Sequence, residues 1–169
     1  MRSRWMMLLL AAVGVAPVAA QRLGTAEVSV FGRATLMDPS VRSDPAAGIG
    51  GRVGVFVRPG WLLEVDLSTT SAGGLDYRPL HVRLNTIAAA SDRASLIAGV
   101  GYVRDSYGGG LQGHDGGVGA LVGLRFGLRR AMFWRLDATL DYIPSPANGV
   151  GDNWHTGGQV GVGYRFGPS

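Results

Sequence analysis

The sequence contains no cysteine and no lysine, and it is poor in charged residues. Without cysteine, disulfide scaffolds, thiolate zinc sites and cysteine nucleophiles are excluded. All 16 basic residues are arginine, and charged residues make up only 17% of the 169-residue chain. Long apolar runs are missing as well, once the first twenty residues are set aside. These absences argue against a disordered chain, a basic nucleic-acid-binding tail and an ordinary soluble enzyme.

Glycine and small apolar residues take the place of the missing charge. The chain has 28 glycines among 169 residues, and hydrophobic residues reach 46%. Average glycine usage is roughly 7%, so glycine is present at more than twice its usual frequency. The length suits one domain of ordinary size and is too short for two.

The first twenty residues predict a cleaved secretory signal peptide, which leaves residues 21–169 as the mature domain. Arg2 and Arg4 form a basic start, residues 5–16 are apolar, and Val18-Ala19-Ala20 supplies small residues before Gln21. This order of features is typical of export signals. A dozen apolar residues are too few to cross a bilayer as a helix, which disfavours a membrane anchor. The mature chain keeps 14 arginines against 12 acidic residues, a net charge of +2.

From Ala26 onward, apolar side chains recur at every second position, which is the period of a β-strand. Eight segments show this alternation, from residues 28–36 to residues 160–166. The segments between them predict short turns near 58–60, 89–93 and 129–130, and long loops at 37–48, 69–76, 104–116 and 144–153. Short connections at one end and long ones at the other are typical of outer-membrane barrels. The prediction is an all-β fold, an eight-stranded antiparallel up-and-down transmembrane β-barrel.

Alternation also fits a secreted soluble β-protein, in which the apolar face would pack inward. Three features favour the membrane barrel. The polar face is sparse and rich in glycine, which suits a narrow lumen filled by side chains better than a solvated surface. The export signal agrees with such a destination. Aromatic side chains also gather towards the strand ends of the apolar face, where they are expected at the membrane–water boundary: Trp61, Tyr102, Phe126, Trp134, Tyr142, Trp154, Tyr164 and Phe166.

The polar face predicts an ion-pair network in the lumen. If Val57 lies opposite Trp61 across the turn, Arg52 lies opposite Asp66, and similar counting places Arg125 opposite Arg135. Buried charges must be paired, so a structural plug is the first interpretation and a narrow small-solute pore the alternative. The candidate network comprises Arg52, Glu64, Asp66, His81, Arg83, Arg125, Arg135, Asp137, Asp141 and Arg165.

The number of strands, the loop alternation and the closing segment Gly161-Val162-Gly163-Tyr164-Arg165-Phe166 resemble the small outer-membrane β-barrel family of OmpA/OmpX type. The resemblance covers residues 23–166. It implies a monomer in the outer membrane of a diderm bacterium that contacts outer-membrane lipids and lipopolysaccharide, and that is inserted by the barrel-insertion machinery. Family members typically finish on an aromatic residue that this machinery reads, whereas here Gly167-Pro168-Ser169 follow Phe166.

Three histidines leave a lipid-modifying enzyme open as an alternative function. Some outer-membrane barrels are lipid A deacylases or acyltransferases that place histidine and serine near the outer edge. His155 is followed by the hydroxyl of Thr156, and His114 precedes Asp115 in a predicted loop. No His-x-Ser arrangement with a matching acid is present, and nucleophilic catalysis needs all three groups in contact. A structural role without a cofactor, a catalytic residue, a metal or a nucleic-acid partner is therefore the leading prediction.

Overall fold

The computed structural model describes residues 23–39, 44–91, 93–109, 112–129, 131–144, 146 and 152–167. The predicted signal peptide lies outside the described residues. The described part of the chain folds into eight strands: β1 (Ala26–Leu36), β2 (Ala46–Arg58), β3 (Trp61–Ala72), β4 (Leu75–Ala89), β5 (Ala94–Gly109), β6 (Gly113–Arg129), β7 (Met132–Ile143) and β8 (Asn153–Phe166). Within these residues, no helix is both long and apolar enough to span a membrane.

Every strand pairs antiparallel with its neighbours in the sequence, and β1 pairs with β8 to close the sheet into a barrel. This arrangement confirms the predicted all-β, up-and-down fold. Closure leaves no edge strand whose backbone groups lack a partner, and in a bilayer that is a requirement, because lipid offers no hydrogen bonds.

The alternation of side chains places valine and leucine on the outside of the barrel and polar residues on the inside. Val30, Val100 and Val122 are 69%, 62% and 60% exposed, whereas the inward-facing Arg33 of the same sheet is 3% exposed. A soluble barrel would show the opposite distribution, because water favours charge outside and apolar groups inside. The apolar exterior therefore matches a hydrocarbon solvent.

Two of the four predicted long loops are wrong. The strands β3 and β4 continue through residues 69–76 and meet at Gly73 and Gly74, whose φ values of 60° and 81° suit a tight two-residue hairpin. Likewise β5 and β6 continue through most of 104–116 and are joined by residues 110–112. These segments are rich in Gly, Asp, Ser and Thr, which resembles loop composition, yet their polar side chains alternate between inside and outside. The connections 37–45 and 144–152 at the same end are the longer ones.

The turn between β2 and β3 contains an irregularity. Arg58, and not Val57, is the partner of Trp61, with the register shifting between Phe56 and Arg58. The predicted Val57–Trp61 pairing is therefore wrong, because one extra residue is inserted next to the turn. Beyond the shift the register returns to the predicted one, so Arg52 lies opposite Asp66.

The barrel interior also holds an apolar layer that the sequence reasoning did not predict. Phe56, Leu62, Ile87, Ile97 and Leu121 point inward, are at most 2% exposed and form one cluster. Four of them lie near the ends of strands β2–β5 next to the short turns, at the same end of the barrel as both chain termini. The interior is thus filled by packed hydrocarbon next to the short turns as well as by charged groups.

Candidate functional site

The ten residues of the predicted lumen network all lie on the inner face of the barrel. Nine of them are at most 7% exposed, and the side chain of Arg165, at the end of β8, is 22% exposed. Strand alternation places them there, since each is two, or a multiple of two, residues away from the next inward-facing position. Their partners are found mainly across the lumen and are described below in order from the short-turn end.

The first group of charges surrounds Glu27 of β1. Arg125 Nη2 donates to Glu27 Oε1 at 2.5 Å, and Arg165 Nε donates to the same oxygen at 3.0 Å. The guanidinium of Arg125 also stands over the ring of Phe133, 3.9 Å from its centroid. One carboxylate is therefore shared by two arginines, neither of which has a second acidic partner within the described residues. Arg125 and Arg135 are register partners on β6 and β7, but their guanidinium groups form ion pairs with different carboxylates.

The second group occupies the middle of the barrel. Arg135 reaches Glu64 across the lumen at 2.6 Å and its own-strand neighbour Asp137 at 2.8 Å. Asp137 is shared with Arg52, at 2.8 Å, and Arg52 also donates to Gln159 Oε1 at 2.5 Å. Each carboxylate of this group has at least one guanidinium partner, which is the arrangement that makes buried charge tolerable.

The third group is centred on His81 of β4. The imidazole Nδ1 lies 3.0 Å from Asp66 Oδ1, and Nε2 lies 3.1 Å from Asp141. Arg83 pairs with the other oxygen of Asp66, and Arg33 of β1 pairs with Asp141 at 3.4 Å. Two carboxylates therefore hold both ring nitrogens, and two arginines balance the carboxylates. Arg52 is the register partner of Asp66, as predicted, but its guanidinium forms its ion pair with Asp137.

The fourth group lies at the end with the long connections. Asp105 accepts a hydrogen bond from Tyr77 Oη at 3.0 Å and lies 3.1 Å from His155 Nδ1. The ring of Tyr107 stacks on Tyr77 with centroids 5.6 Å apart. Asp105 and Asp115 fall in the predicted loop 104–116. The structure instead buries both inside the barrel.

Besides the rings of Tyr77, Tyr107 and Phe133, five inward-facing residues of these groups were missed by the sequence reasoning: Glu27, Arg33, Asp105, His155 and Gln159. The signal that could have found them is the same alternation, followed to the ends of each strand. Glu27 and Arg33 fall on the polar face of the first strand. Asp105 continues the inward-facing positions of β5 into the predicted loop 104–116, and His155, predicted near the start of the last strand, occupies an inward-facing position of β8.

The proposed catalytic pair of a lipid-modifying enzyme is not formed at His155. Its side chain is 1% exposed inside the barrel, whereas the adjacent Thr156 faces outward. Neighbouring residues of a strand point to opposite faces, so the imidazole and this hydroxyl cannot act on one substrate. Within the described residues, no group of three acidic, histidine or cysteine side chains is arranged to hold a metal ion.

Several glycines of the inner face leave room for carboxylates and aromatic rings of neighbouring strands. A Cβ at Gly123 would collide with Asp137 Oδ1, and one at Gly119 would come within 2.7 Å of Asp141 Oδ1. Gly163 gives the same room to the Phe133 ring. These glycines allow acidic side chains on the neighbouring strand to lie flat against the wall.

The eight aromatic residues predicted for the membrane boundary divide into two bands at opposite ends. Tyr102, Tyr142 and Trp154 lie in one row across strands β5 to β8. Val118 is the register partner of both Tyr102 and Tyr142, and Tyr142 is the partner of Trp154. The other band, near the short turns, contains Trp61, Phe126, Trp134, Tyr164 and Phe166.

The separation of the bands can be judged along β8. From Trp154 to Tyr164 the strand covers about 33 Å, which a tilt of about 40° reduces to roughly 25 Å along the barrel axis. The apolar band of outer-membrane barrels has about that height. A closed barrel with an apolar exterior, two aromatic bands and a paired polar interior defines the class of small transmembrane β-barrels.

Comparison with solved structures shows the same fold. Neisserial surface protein A has 15% sequence identity over 85% of this chain and 99% of that chain, with a TM-score of 0.70. The N-terminal β-barrel domain of OprF from Pseudomonas aeruginosa has 15% identity over 85% of this chain and 98% of that chain, with a TM-score of 0.65. Ail of Yersinia pestis in complex with the heparin analogue sucrose octasulfate has 14% identity over 86% of this chain and 100% of that chain, with a TM-score of 0.55. No protein-family model matches the chain, and no curated protein matches it in sequence.

Proposed function

We propose that this protein is a structural barrel of the outer membrane of a diderm bacterium. The observation that carries the proposal is the contrast between the two faces of one closed sheet. Aliphatic side chains cover the outside, while cross-barrel ion pairs and an apolar layer fill the inside. Residues 1–20 direct export, residues 21–169 form the barrel, and the insertion machinery places it in the membrane as a monomer. Lipopolysaccharide and other outer-membrane lipids are its partners.

The filled interior favours a structural role over a small-solute pore. Four groups of charges follow one another along the lumen, and the apolar cluster of Phe56, Leu62, Ile87, Ile97 and Leu121 closes the short-turn end. A solute would have to break buried ion pairs, each costing about 3–5 kcal/mol when one partner is removed. An interior of eight strands is only wide enough for packed side chains.

The experiment that tests the proposal combines folding and conductance. Purified protein refolded into lipid vesicles should migrate differently on a gel before and after heating, as closed membrane barrels do. After insertion into a planar bilayer it should leave the conductance at background. Protein that stays monodisperse in buffer without detergent contradicts the membrane assignment, and steady conductance steps from inserted protein contradict the structural role.

A further inference from the structure

Polar side chains face outward at the end of the barrel with the long connections. Arg78 of β4 is the register partner of Ser106 of β5, and Ser106 is the partner of His114 of β6. His114 Nδ1 lies 3.1 Å from Ser106 Oγ. Arg104 lies one row below, opposite Gly116. We call Arg78, Arg104, Ser106 and His114 the outer basic patch.

The two arginines of this patch are exposed and have no anion of their own. Neither makes an ion pair or a side-chain hydrogen bond with any residue of the described part of the chain. The nearest outward-facing acid on β4 is Asp76, whose carboxylate accepts a hydrogen bond from Ser71 at 2.6 Å. Arg78 and Arg104 occupy diagonal positions on neighbouring strands, so their Cβ atoms lie about 7 Å apart. Two cations this close attract an anionic ligand that satisfies both.

The depth of the patch matches lipid headgroups. Arg104 follows Tyr102 of the aromatic row by two residues, which places it about 5 Å further towards the end with the long connections. An outward-facing arginine costs about 2–4 kcal/mol at the bilayer midplane but only about 0–1 kcal/mol near the interface. The Tyr102 hydroxyl lies beside Gly116, which is the register partner of Arg104: a Cβ added at Gly116 would be only 3.1 Å from Tyr102 Oη. Because glycine has no side chain, this hydroxyl can lie at the level of Arg104.

An apolar groove begins beside the patch on the outer wall. Its volume is about 310 Å³, and its lining includes Ile49, Leu67, Thr69 and Arg78. Ile49 is 71% exposed and Leu67 is 57% exposed, so the groove opens to the surrounding lipid. A mostly apolar groove that includes a guanidinium in its lining is complementary to an acyl chain with an anionic headgroup.

The geometry points to a binding site for the phosphate groups of lipid A, the membrane anchor of lipopolysaccharide, on the outer basic patch. Lipid A carries two phosphates on one headgroup, which fits two unpaired guanidinium groups at neighbouring positions. Arg78 and Arg104 donate to the phosphate oxygens, Tyr102 and His114 add hydrogen bonds, and an acyl chain lies over Ile49 and Leu67. This inference rests on the proposed outer-membrane role, which only stated that lipopolysaccharide is a partner.

The test measures lipid binding to refolded protein in detergent micelles by native mass spectrometry. The probes are bis-phosphorylated lipid A, its monophosphorylated form and phosphatidylglycerol. The variant Arg78→Gln/Arg104→Gln removes both cations of the patch. The matched control, Arg58→Gln/Arg93→Gln, removes two exposed arginines at the opposite end of the barrel. Heat-dependent gel mobility verifies that every variant is folded.

We expect the patch variant to bind bis-phosphorylated lipid A at least about 10-fold more weakly than the unsubstituted protein. The control should remain within about twofold, and Arg78→Lys/Arg104→Lys should recover part of the affinity. Unchanged affinity in the patch variant overturns the inference, as does an equal loss in the control. Equal binding of phosphatidylglycerol and bis-phosphorylated lipid A overturns it too, because the site would then select only for negative charge. A folded, non-conducting barrel in these cases leaves the proposed structural role standing.

Discussion

Arg135 of β7 and Glu64 of β3 meet across the barrel, with Arg135 Nη1 2.6 Å from Glu64 Oε2, although their strands are not neighbours in the sheet. Arg135 has a second acid, Asp137, at 2.8 Å, whereas Glu64 has Arg135 as its only ion-pair partner within the described residues. The pair therefore connects non-neighbouring strands across the lumen. If the pair is broken, Arg135 still has an acidic partner, whereas Glu64 has no cationic partner left within the described residues.

Replacing Arg135 should destabilise the barrel more than replacing Glu64. Arg135→Met leaves Glu64 buried without a cation, and we expect the free energy of unfolding to fall by about 3–5 kcal/mol. Glu64→Gln leaves Arg135 paired with Asp137, so the loss should be about 1–3 kcal/mol. Urea unfolding in lipid vesicles, followed by tryptophan fluorescence, measures both. The opposite order, or no loss in either variant, would show that the ion pair does not hold the walls together.

Gly123→Ala should destabilise the barrel, whereas Gly127→Ala on the same strand should not. A Cβ at Gly123 overlaps Asp137 Oδ1, displacing the carboxylate from Arg52, while at Gly127 the nearest atom is Arg93 O at 3.8 Å. Forcing an atom into a filled interior costs about 1–3 kcal/mol. The same urea titration compares the two variants. If they unfold at the same urea concentration, the interior is not packed as described.

Val122→Arg should impair insertion and lower stability in the membrane. Val122 is 60% exposed on the outer wall, and an arginine near the midplane of a bilayer costs about 2–4 kcal/mol. Val122→Ala serves as the control, because it shortens the side chain without adding charge. The free energy of unfolding in vesicles and the yield of heat-modifiable protein are the readouts. A Val122→Arg variant that inserts and unfolds like the control would place this face away from lipid.

Neither His155→Ala nor Ser106→Ala should alter the acyl chains of lipid A in cells that express the protein. His155 is buried against Asp105 inside the barrel, and Ser106 and His114 form an outer pair for which no third, acidic side chain is in contact within the described residues. Mass spectrometry of lipid A from cells with and without the gene provides the measurement. An acyl-chain difference that depends on the gene and disappears in either variant would establish an enzyme and replace the structural role.

The depths of Trp134 and Trp154 in the bilayer should match the positions of the two aromatic bands. In variants that keep only Trp134 or only Trp154, with phenylalanine at the other tryptophans, each should lie about 12 Å from the bilayer centre. Fluorescence quenching by lipids brominated at different depths measures this distance. Equal shallow depths are expected for the two variants. A tryptophan quenched most strongly by bromine near the ends of the lipid acyl chains would lie close to the bilayer centre, outside the predicted bands.

The alternation of side chains was enough to predict the strands, because its period depends only on local backbone geometry. Val118, Val122 and Phe126 appear on one face from spacing alone, and the structure has them on the outer wall. Local composition and strand period disagree in one part of the chain. Asp105 and Asp115 stand among glycines that suggest a loop, but the barrel extends its strands there and turns both carboxylates inward.

The sequence alone determined the number of strands, their order, and which face meets lipid, since each follows from a repeated local pattern and from the short connections between neighbours. The tertiary structure alone decided which charges meet. Arg52 is opposite Asp66 along the sheet yet pairs with Asp137 across the lumen. Such partners depend on how the closed sheet curves and staggers, a property of all eight strands together that no single segment of the chain encodes.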